Sequence, residues 1–311
     1  MIRQSSLATK INGILALLMY VLLLSSCTKS FVENHIEVPE QLHNVTVSLS
    51  GIDFSTEANT RASDASATDA GITRIAFKVF DSKKVEQVSI TQVATEVGED
   101  FNSLSFQLPE GTYTFVAVAH DATGNDVGCA TITSAEMATL PEKLVPTLYS
   151  SVKEVTVTSE NNQTVTIDMG KRINATLHLV STDLVPADVW KMAITVNAEG
   201  TLVSNDNLLK FNPSTGFAIG DRRYNIGLPV IVGNTIDVTG NILLPADSYN
   251  YPVNIRVINT ANEFIADYER NLTDINFQRS YITTATGQYF RYINTGVLSF
   301  DINQGSLEYQ Y

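Results

Sequence analysis

The chain has 311 residues, and its 33 acidic side chains outnumber the 20 basic ones for a net charge of −13. This charge argues against binding to nucleic acid and against electrostatic attraction to anionic lipid, because both depend on clustered Lys and Arg. The length is ample for two domains of ordinary size.

The N-terminus has the layout of a secretory signal peptide. Arg3 and Lys10 give it a positive start, an apolar run follows over residues 14–24, and small residues precede Cys27. A run this short does not span a bilayer as a helix, which needs about 20 residues. The motif LSSC that ends at Cys27 is a lipobox, in which the thiol takes up a diacylglyceryl group. We therefore predict a lipoprotein signal peptide over residues 1–26 and lipidation at Cys27.

An acylated Cys27 would hold the protein on a membrane, because each buried methylene of an acyl chain contributes about 0.8 kcal/mol. Residues 27–41 are polar, contain Pro39 and lack a helix or strand period, so we predict a tether. The signal carries two basic and no acidic groups, which leaves 18 basic against 33 acidic side chains, a net charge of −15, on the rest. The expected location is the outer membrane, with the folded part exposed at the cell surface.

Cys129 is the second of two cysteines. With Cys27 acylated, no internal disulfide is available, so the fold depends on its hydrophobic core. No nucleophile signature surrounds Cys129, and we predict a half-buried structural cysteine.

The first strand is predicted over residues 43–54. Val45, Val47 and Leu49 share one face, and Gly51 then stands at a change of parity, which indicates a bulge. Residues 55–71 follow without apolar pattern and are rich in Ser, Thr, Ala and Asp, which predicts a flexible, exposed segment with Arg61 as its sole basic residue.

The next hundred residues are dominated by strand signals, with one exception. Residues 131–144 are the best local candidate for a short helix or helical turn. Residues 152–158 and 164–169 are predicted to pair as a hairpin around residues 160–162. The other predicted strands of this half are 72–80, 85–93, 101–108 and 112–120.

The second half continues in the same style, and no long amphipathic helix appears. Gly170 marks the predicted domain junction, and residues 200–233 are poorly patterned and predicted as a long loop with short pieces of structure. Many short strands at this spacing predict an all-β protein with two antiparallel β-sandwich domains, over residues 42–169 and 170–311. The predicted strands of this half are 173–180, 190–197, 234–244, 251–259, 263–268, 281–285 and 296–302.

A short motif occurs twice, 136 residues apart, as LPEGTYTF from Leu108 and LPADSYNY from Leu244. In each copy proline presets the turn, and the tyrosine and the aromatic residue two positions later share one face of the new strand. The repeat predicts duplication of one sandwich, with Tyr113 and Tyr249 at equivalent core sites.

The sequence contains no residue pattern that is typical of an enzyme active site. His120 and His178 have no partners at catalytic or metal-ligand spacing, and no phosphate loop, nucleophile elbow or paired-carboxylate motif is visible. We predict no catalytic residue, no metal and no cofactor.

Aromatic residues concentrate near the C-terminus. Alternation along strands accounts for most of them as core or subunit interface, although a stacking platform for sugars is an alternative. A carbohydrate-binding or other ligand-binding surface lipoprotein is therefore the second functional hypothesis. The residues are Tyr281, Tyr289, Phe290, Tyr292, Phe300, Tyr309 and Tyr311.

The end of the chain has two interpretations. Apolar residues alternate on both sides of a predicted break at residues 303–306. The last strand is either inserted into the groove of another subunit or completes the edge of its own domain, and the sequence leaves both open.

Several stretches together resemble the fimbrillin family, the lipoprotein precursors of type V pili. They are the lipobox, LPEGTYTFVAVAHD, the strand–loop–strand run VTVSLSGIDF…NTRASD…ITRIAFKVFD, the segment MGKRINATLHLV, and ERNLTDINFQRSYITTATGQYF. The resemblance covers nearly the whole chain after the signal and implies two tandem transthyretin-like β-sandwich domains.

The resemblance also implies a mechanism of assembly and a set of partners. In stalk subunits an arginine-specific protease cuts the loop after the first strand, that strand leaves, and a neighbouring subunit fills the groove. Arg61-Ala62 occupies the matching place, whereas anchor-type relatives keep their lipid uncut. The chain is thus expected to be a stalk, tip or anchor subunit in cell adhesion, with other pilus subunits, the outer membrane and host or bacterial surface ligands as partners.

Overall fold

A computed structural model describes residues 41–51, 71–121, 128–141, 145–160, 162–203, 207–291 and 300–306. These residues belong to one compact unit that begins at Gln41. Strands are their main secondary structure, and the described residues contain one four-residue α-helix, α1 (Ala94–Val97), and two short 3-10 turns, so the predicted all-β class is confirmed. In the part of the chain described, no helix is long and apolar enough to cross a membrane.

The first half forms two sheets that face each other. Sheet A has the order β4-β1-β9 and sheet B the order β3-β2-β5-β8, while a small sheet C of order β13-β7-β6 includes one strand from the second half. The strands are β1 (His43–Ser50), β2 (Arg74–Asp81), β3 (Glu86–Val93), β4 (Ser103–Leu108), β5 (Gly111–His120), β6 (Thr131–Ser134), β7 (Met137–Thr139), β8 (Leu148–Val157), β9 (Asn162–Asp168) and β13 (Lys210–Phe211).

The second half also forms two sheets. Sheet D has the order β15-β10-β18-β19 and sheet E the order β12-β14-β11-β16-β17. The strands are β10 (Asn174–Ser181), β11 (Val189–Val196), β12 (Thr201–Leu202), β14 (Arg222–Pro229), β15 (Asp237–Leu243), β16 (Ser248–Asn259), β17 (Arg270–Gln278), β18 (Tyr281–Gly287) and β19 (Phe300–Ser306).

The two halves repeat one scheme of strand pairing. In sheet A the first strand, β1, lies between antiparallel β4 and parallel β9. In sheet D the first strand, β10, lies between antiparallel β15 and parallel β18. The order β3-β2-β5-β8 likewise corresponds to β14-β11-β16-β17. This repetition supports the predicted duplication, and the domain boundary near residue 170 stays a prediction.

Sheet B is buried on both faces. Phe77 and Phe115 belong to one apolar cluster, which lies between sheets A and B. Val116 and Val118, on the opposite face, belong to a second cluster that continues into the second half of the chain. Burial on both faces explains why the central strand β5 has a continuous apolar run rather than strict alternation.

The helix predicted over residues 131–144 is wrong. Residues 131–139 form the hairpin β6–β7, in which Ile132 and Ala138 are fully buried in the cluster that covers the outer face of sheet B. The local composition of Ala, Glu and Met favours a helix. The segment instead forms an extended hairpin, which covers the outer face of sheet B.

Two other predicted elements need correction. Residues 152–158 and 164–169 do not form a hairpin, because β8 pairs with β5 and β9 pairs in parallel with β1. Their alternating valines face the same core from opposite sheets. Residues 263–268 are not a strand, since they end in the 3-10 turn Ala266–Tyr268, which buries Tyr268 against Phe290.

The loop predicted over residues 200–233 contains the eight-residue strand β14, which pairs with β11. The break predicted at residues 303–306 is also wrong, because these residues continue β19 beside β18. In both places the strand contains polar residues, so the sequence lacks the apolar alternation from which strands are predicted. At the start of the chain β1 ends at Ser50, and the predicted extension over residues 52–54 lies outside the described residues.

The repeated tyrosines occupy corresponding strands but differ in burial. Tyr113 on β5 is buried, and its hydroxyl donates to the carbonyl oxygen of Pro109 at 3.1 Å. Tyr249 on β16 is 44% exposed, so the predicted core position is wrong for this residue. Strand β16 begins with three exposed residues, and its alternation into the core starts at Tyr251.

This difference predicts unequal costs of truncation. Tyr113→Ala should lower the free energy of unfolding by about 3–5 kcal/mol, because it leaves a cavity in the core. Tyr249→Ala should cost about 1 kcal/mol or less, because its half-exposed ring has less apolar surface to lose. Urea unfolding followed by circular dichroism measures both, and equal costs would contradict the difference in burial.

Candidate functional site

The strand that follows the predicted tether, β1, lies at the centre of sheet A. Its neighbours are antiparallel β4, with Val45 opposite Phe106, and parallel β9, with Val47 opposite Val165. A central strand hydrogen-bonds along both of its edges. The far end is also fixed, since the Leu49 amide donates to the Asn102 carbonyl oxygen at 3.2 Å.

The inner face of β1 is almost completely removed from solvent. Val45, Val47 and Leu49 are 1%, 0% and 3% exposed, which confirms the predicted alternation. They pack in the cluster that contains Phe77 and Phe115. Burial of each such side chain contributes about 1.5–3 kcal/mol, so the three together contribute about 5–9 kcal/mol.

The outer face of β1 is polar and uncharged. Asn44 bridges the three strands of sheet A, because its Oδ1 accepts from Gln107 Nε2 at 2.9 Å and its Nδ2 donates to Asn162 Oδ1 at 3.2 Å. One step further along, the hydroxyls of Thr46 and Ser105 lie 3.4 Å apart. These exposed cross-strand pairs fix the register of β1 but contribute less than the buried face.

The chain leaves β1 through a sharp turn at Gly51. This residue has φ +82°, and a Cβ placed there would lie 2.2 Å from Asp168 Oδ1. Only glycine fits both the backbone angle and the space. The chain then passes to β2 in sheet B, so the segment that links the two strands joins opposite sheets of the sandwich.

The predicted lipidation and cleavage sites lie in parts of the chain that the structure does not describe. Cys27, Arg61 and Ala62 all lie outside the described residues, as do the predicted signal peptide and residues 27–40 of the predicted tether. The structure therefore describes β1, which lies between Cys27 and Arg61 in the sequence, but not the predicted sites themselves.

His120 and Cys129 both lie near Arg74, whereas His178 lies on β10 of sheet D. His120 is fully buried, and burial, followed by the nearby Arg74 charge, lowers its pKa to about 4. His178 Nε2 pairs with Asp237 Oδ1 at 2.7 Å. Cys129 is a half-buried free thiol, as predicted, and burial raises its pKa. Within the described ranges no three His, Cys, Asp or Glu side chains converge to hold a metal ion.

Two of the C-terminal aromatic residues, Tyr289 and Phe290, are buried rather than exposed for stacking on a sugar. Tyr289 and Phe290 are 0% and 5% exposed, and their amides donate to the Asp183 carboxylate at 2.9 and 2.7 Å. Tyr292, Tyr309 and Tyr311 lie outside the described residues.

The last described strand, β19, is at an edge of sheet D. It pairs with β18 from Gly287 opposite Phe300 to Tyr281 opposite Ser306, and Ile302 is 44% exposed. In this structure it completes its own sheet, as one of the two interpretations of the sequence expected. Donation of the strand to another subunit stays a prediction.

Comparison with solved structures finds similar proteins of low sequence identity. The fimbrial anchor protein Mfa2 from Porphyromonas gingivalis is 13% identical, with a TM-score of 0.47, and the match covers 86% of this chain and 99% of that one. A protein from Bacteroides thetaiotaomicron provisionally described as polysaccharide-binding is 13% identical, with a TM-score of 0.49 and coverages of 85% and 98%. A provisional adhesin from the same organism is 15% identical, with a TM-score of 0.45 and coverages of 86% and 99%.

The sequence comparisons differ in outcome. A search of curated proteins finds no match. The family model for fimbrillin-A associated anchor proteins matches residues 38–218, which is more than half of the chain and includes β1 and all of sheets A and B. The resemblance to the fimbrillins is thereby confirmed. The chain belongs to the family of the fimbrillin-A associated anchor proteins Mfa1 and Mfa2.

Proposed function

We propose that this protein is the outer-membrane anchor of a fimbria and contributes to cell adhesion by holding other pilus subunits at the cell surface. In this proposal residues 1–26 are removed on export and acyl chains on Cys27 insert in the outer membrane. Family membership supports a role associated with fimbriae. The lipobox supports attachment to the membrane.

The observation that carries the proposal is the position of β1. This strand is the first described strand after Cys27, so tension between the membrane and a fimbria would pass through it. It is bonded to β4 on one side and β9 on the other, and three of its side chains are buried in the core. Pulling along a central strand loads many hydrogen bonds together, which suits a strand that has to stay in place under load.

The same geometry makes strand exchange feasible. Without β1, the facing edges of β4 and β9 would lose their backbone partners, and the apolar groove that holds Val45 and Val47 would be open. Unpaired edges beside an apolar groove recruit another strand. A cut after Arg61 that frees β1 would produce a stalk or tip subunit, whereas an anchor retains β1.

Limited digestion with an arginine-specific protease separates these roles. For an anchor, the expected result is that the chain resists cleavage at Arg61, or that a cut creates a new N-terminus at Ala62 while the peptide with residues 41–51 stays bound in a monomer. Size-exclusion chromatography with mass spectrometry of the eluted species gives the readout. Arg61→Gln is the matched control, since it removes the cleavage site and leaves β1 intact.

Release of the β1 peptide with growth into oligomers or fibres would contradict the anchor role and indicate a stalk or tip subunit. A second measurement tests the fimbrial role itself, namely crosslinking of the cell-surface protein followed by mass spectrometry of its partners. Absence of fimbrial subunits from the crosslinked products would overturn the proposed function.

A further inference from the structure

Sheet E has a concave polar surface that the anchor role does not use. It encloses a cavity of about 680 Å³. The floor is a row of four uncharged polar side chains, one from each of four adjacent strands. The strand registers place Asn225 beside Thr195, Thr195 beside Asn254, and Asn254 beside Asn271. Neighbouring strands lie about 4.8 Å apart, so the row spans about 14 Å.

Each end of the cavity is lined by one arginine and one glutamate. Arg256 and Glu269 lie at one end, and Arg223 and Glu199 lie at the other. Arg256 Nε donates to Glu269 Oε1 at 3.0 Å, and Asn254 Nδ2 donates to the same oxygen at 2.9 Å. These hydrogen bonds, that from Asn254 first, lower the pKa of Glu269, so this side chain is a carboxylate acceptor at neutral pH. Arg223 and Glu199 line the other end, so the four charges sum to zero.

Two features hold these groups in place. The Arg223 Nη1 group donates to the carbonyl oxygen of Ala198 at 3.3 Å, and the Arg256 guanidinium stacks 5.3 Å from the centre of the Phe264 ring. Pro252 on β16 lines the cavity and lies at a register shift opposite an irregular part of β17. Irregularities of this kind bend and twist a strand, and they recur beside binding sites.

The chemistry of the cavity narrows the class of ligand. A peptide strand could add beside the edge strand β17 but not across the floor of the cavity, because β11 and β16 are paired on both sides. An apolar ligand would form no hydrogen bonds with the polar side chains of the floor. The negative net charge of the chain disfavours an anionic ligand. Asn254 Nδ2 donates to Glu269 Oε1 and to Asn271 Oδ1, which leaves Asn254 Oδ1 as an acceptor toward the ligand. Sugar hydroxyls both donate and accept, so they match the mixture of amide, hydroxyl, carboxylate and guanidinium groups.

We propose that this concave face of sheet E is a binding site for an uncharged oligosaccharide, with sugar hydroxyls bonded to the row of Asn225, Thr195, Asn254 and Asn271. Arg223 and Arg256 donate to ligand oxygens at the two ends, and Glu199 and Glu269 accept from hydroxyls. The site gives the protein a lectin-like contact with glycans, independently of whether it anchors a fimbria.

Binding can be tested with the purified full-length protein in a detergent that lacks a sugar headgroup. An array of uncharged and acidic oligosaccharides identifies candidate ligands, and isothermal titration measures the affinity of the uncharged ones. Asn254→Ala should weaken binding about tenfold or more, because it removes hydrogen bonds at the centre of the row. Thr195→Val should weaken binding in the same direction while keeping the shape of the side chain.

Asn276→Ala is the matched control, because Asn276 is exposed on β17 two residues beyond the irregular segment and does not line the cavity. Binding to an uncharged glycan that both cavity variants weaken and the control preserves supports the site. Lack of binding to every uncharged glycan, binding to acidic glycans alone, or equal affinity of all variants would overturn it. Circular dichroism of each variant verifies the fold, and Thr195→Val provides the test if Asn254→Ala does not fold.

Discussion

Val47→Asp should abolish the folded N-terminal sandwich. Val47 is 0% exposed and lies at the middle of the central strand of sheet A. The substitution loses about 1.5–3 kcal/mol of apolar burial and introduces a carboxyl group whose burial costs several kcal/mol more. A total of about 5 kcal/mol or more is comparable to the whole stability of many domains. Differential scanning calorimetry should therefore show loss or a large downward shift of a thermal transition.

Thr46→Asp is the matched control for this effect. Thr46 is the preceding residue on the same strand, and its side chain is exposed beside Ser105. A surface substitution of this kind usually changes stability by about 0.5 kcal/mol or less. Equal destabilisation by the two substitutions, or a folded Val47→Asp protein, would contradict the assignment of β1 to the core of the sandwich.

Cys27→Ala should remove the protein from the outer membrane. Without the thiol there is no site for the diacylglyceryl group, and the two or more acyl chains that give stable anchoring are lost. The expected product is unprocessed precursor or soluble protein, with no incorporation of a fatty-acid analogue. Membrane fractionation and metabolic labelling measure both outcomes.

Cys129→Ala is the natural control, since Cys129 is the other cysteine of the chain and its half-buried thiol donates to the Gln92 carbonyl oxygen at 3.5 Å. This variant should keep both the label and the membrane location. Unchanged labelling of Cys27→Ala would show that the acyl chains are attached elsewhere and would remove the basis of the anchor proposal.

These two predictions concern successive parts of one mechanical path. Acyl chains on Cys27 would resist extraction from the bilayer, and β1 would resist extraction from the protein. Because the predicted tether would lie between them, the weaker of the two attachments would limit the load that the proposed anchor bears. In the proposed anchor a proteolytic cut after Arg61 leaves this path dependent on the noncovalent contacts of β1 alone.

Local alternation was sufficient to predict most of the strands. Val45, Val47 and Leu49 are buried because a period of two places them on one face, whatever that face contacts. The all-β class and the half-buried Cys129 likewise followed from local composition and spacing. The sequence pattern also carried the family resemblance, which depends on motifs in their order along the chain.

Strand pairing was decided by the tertiary structure. The segments over residues 152–158 and 164–169 look like a hairpin because they are adjacent, yet they pair with β5 and β1. Alternation reports which side of a strand is apolar but not which sheet the strand joins. The helix predicted over residues 131–144 failed for a related reason, because the need to cover the outer face of sheet B lies outside the segment.

The candidate glycan site also depends on strand pairing that local sequence patterns do not reveal. Its central row combines residues 195, 225, 254 and 271 from four strands, and no motif in the sequence connects them. Each is an ordinary polar residue on the solvent side of a strand. The sequence by itself determined that this protein is built of strands and resembles the fimbrillins, because those properties depend on local patterns. Only the tertiary structure decided that β1 is a central strand and that four distant polar residues form one row, because both depend on the register between strands.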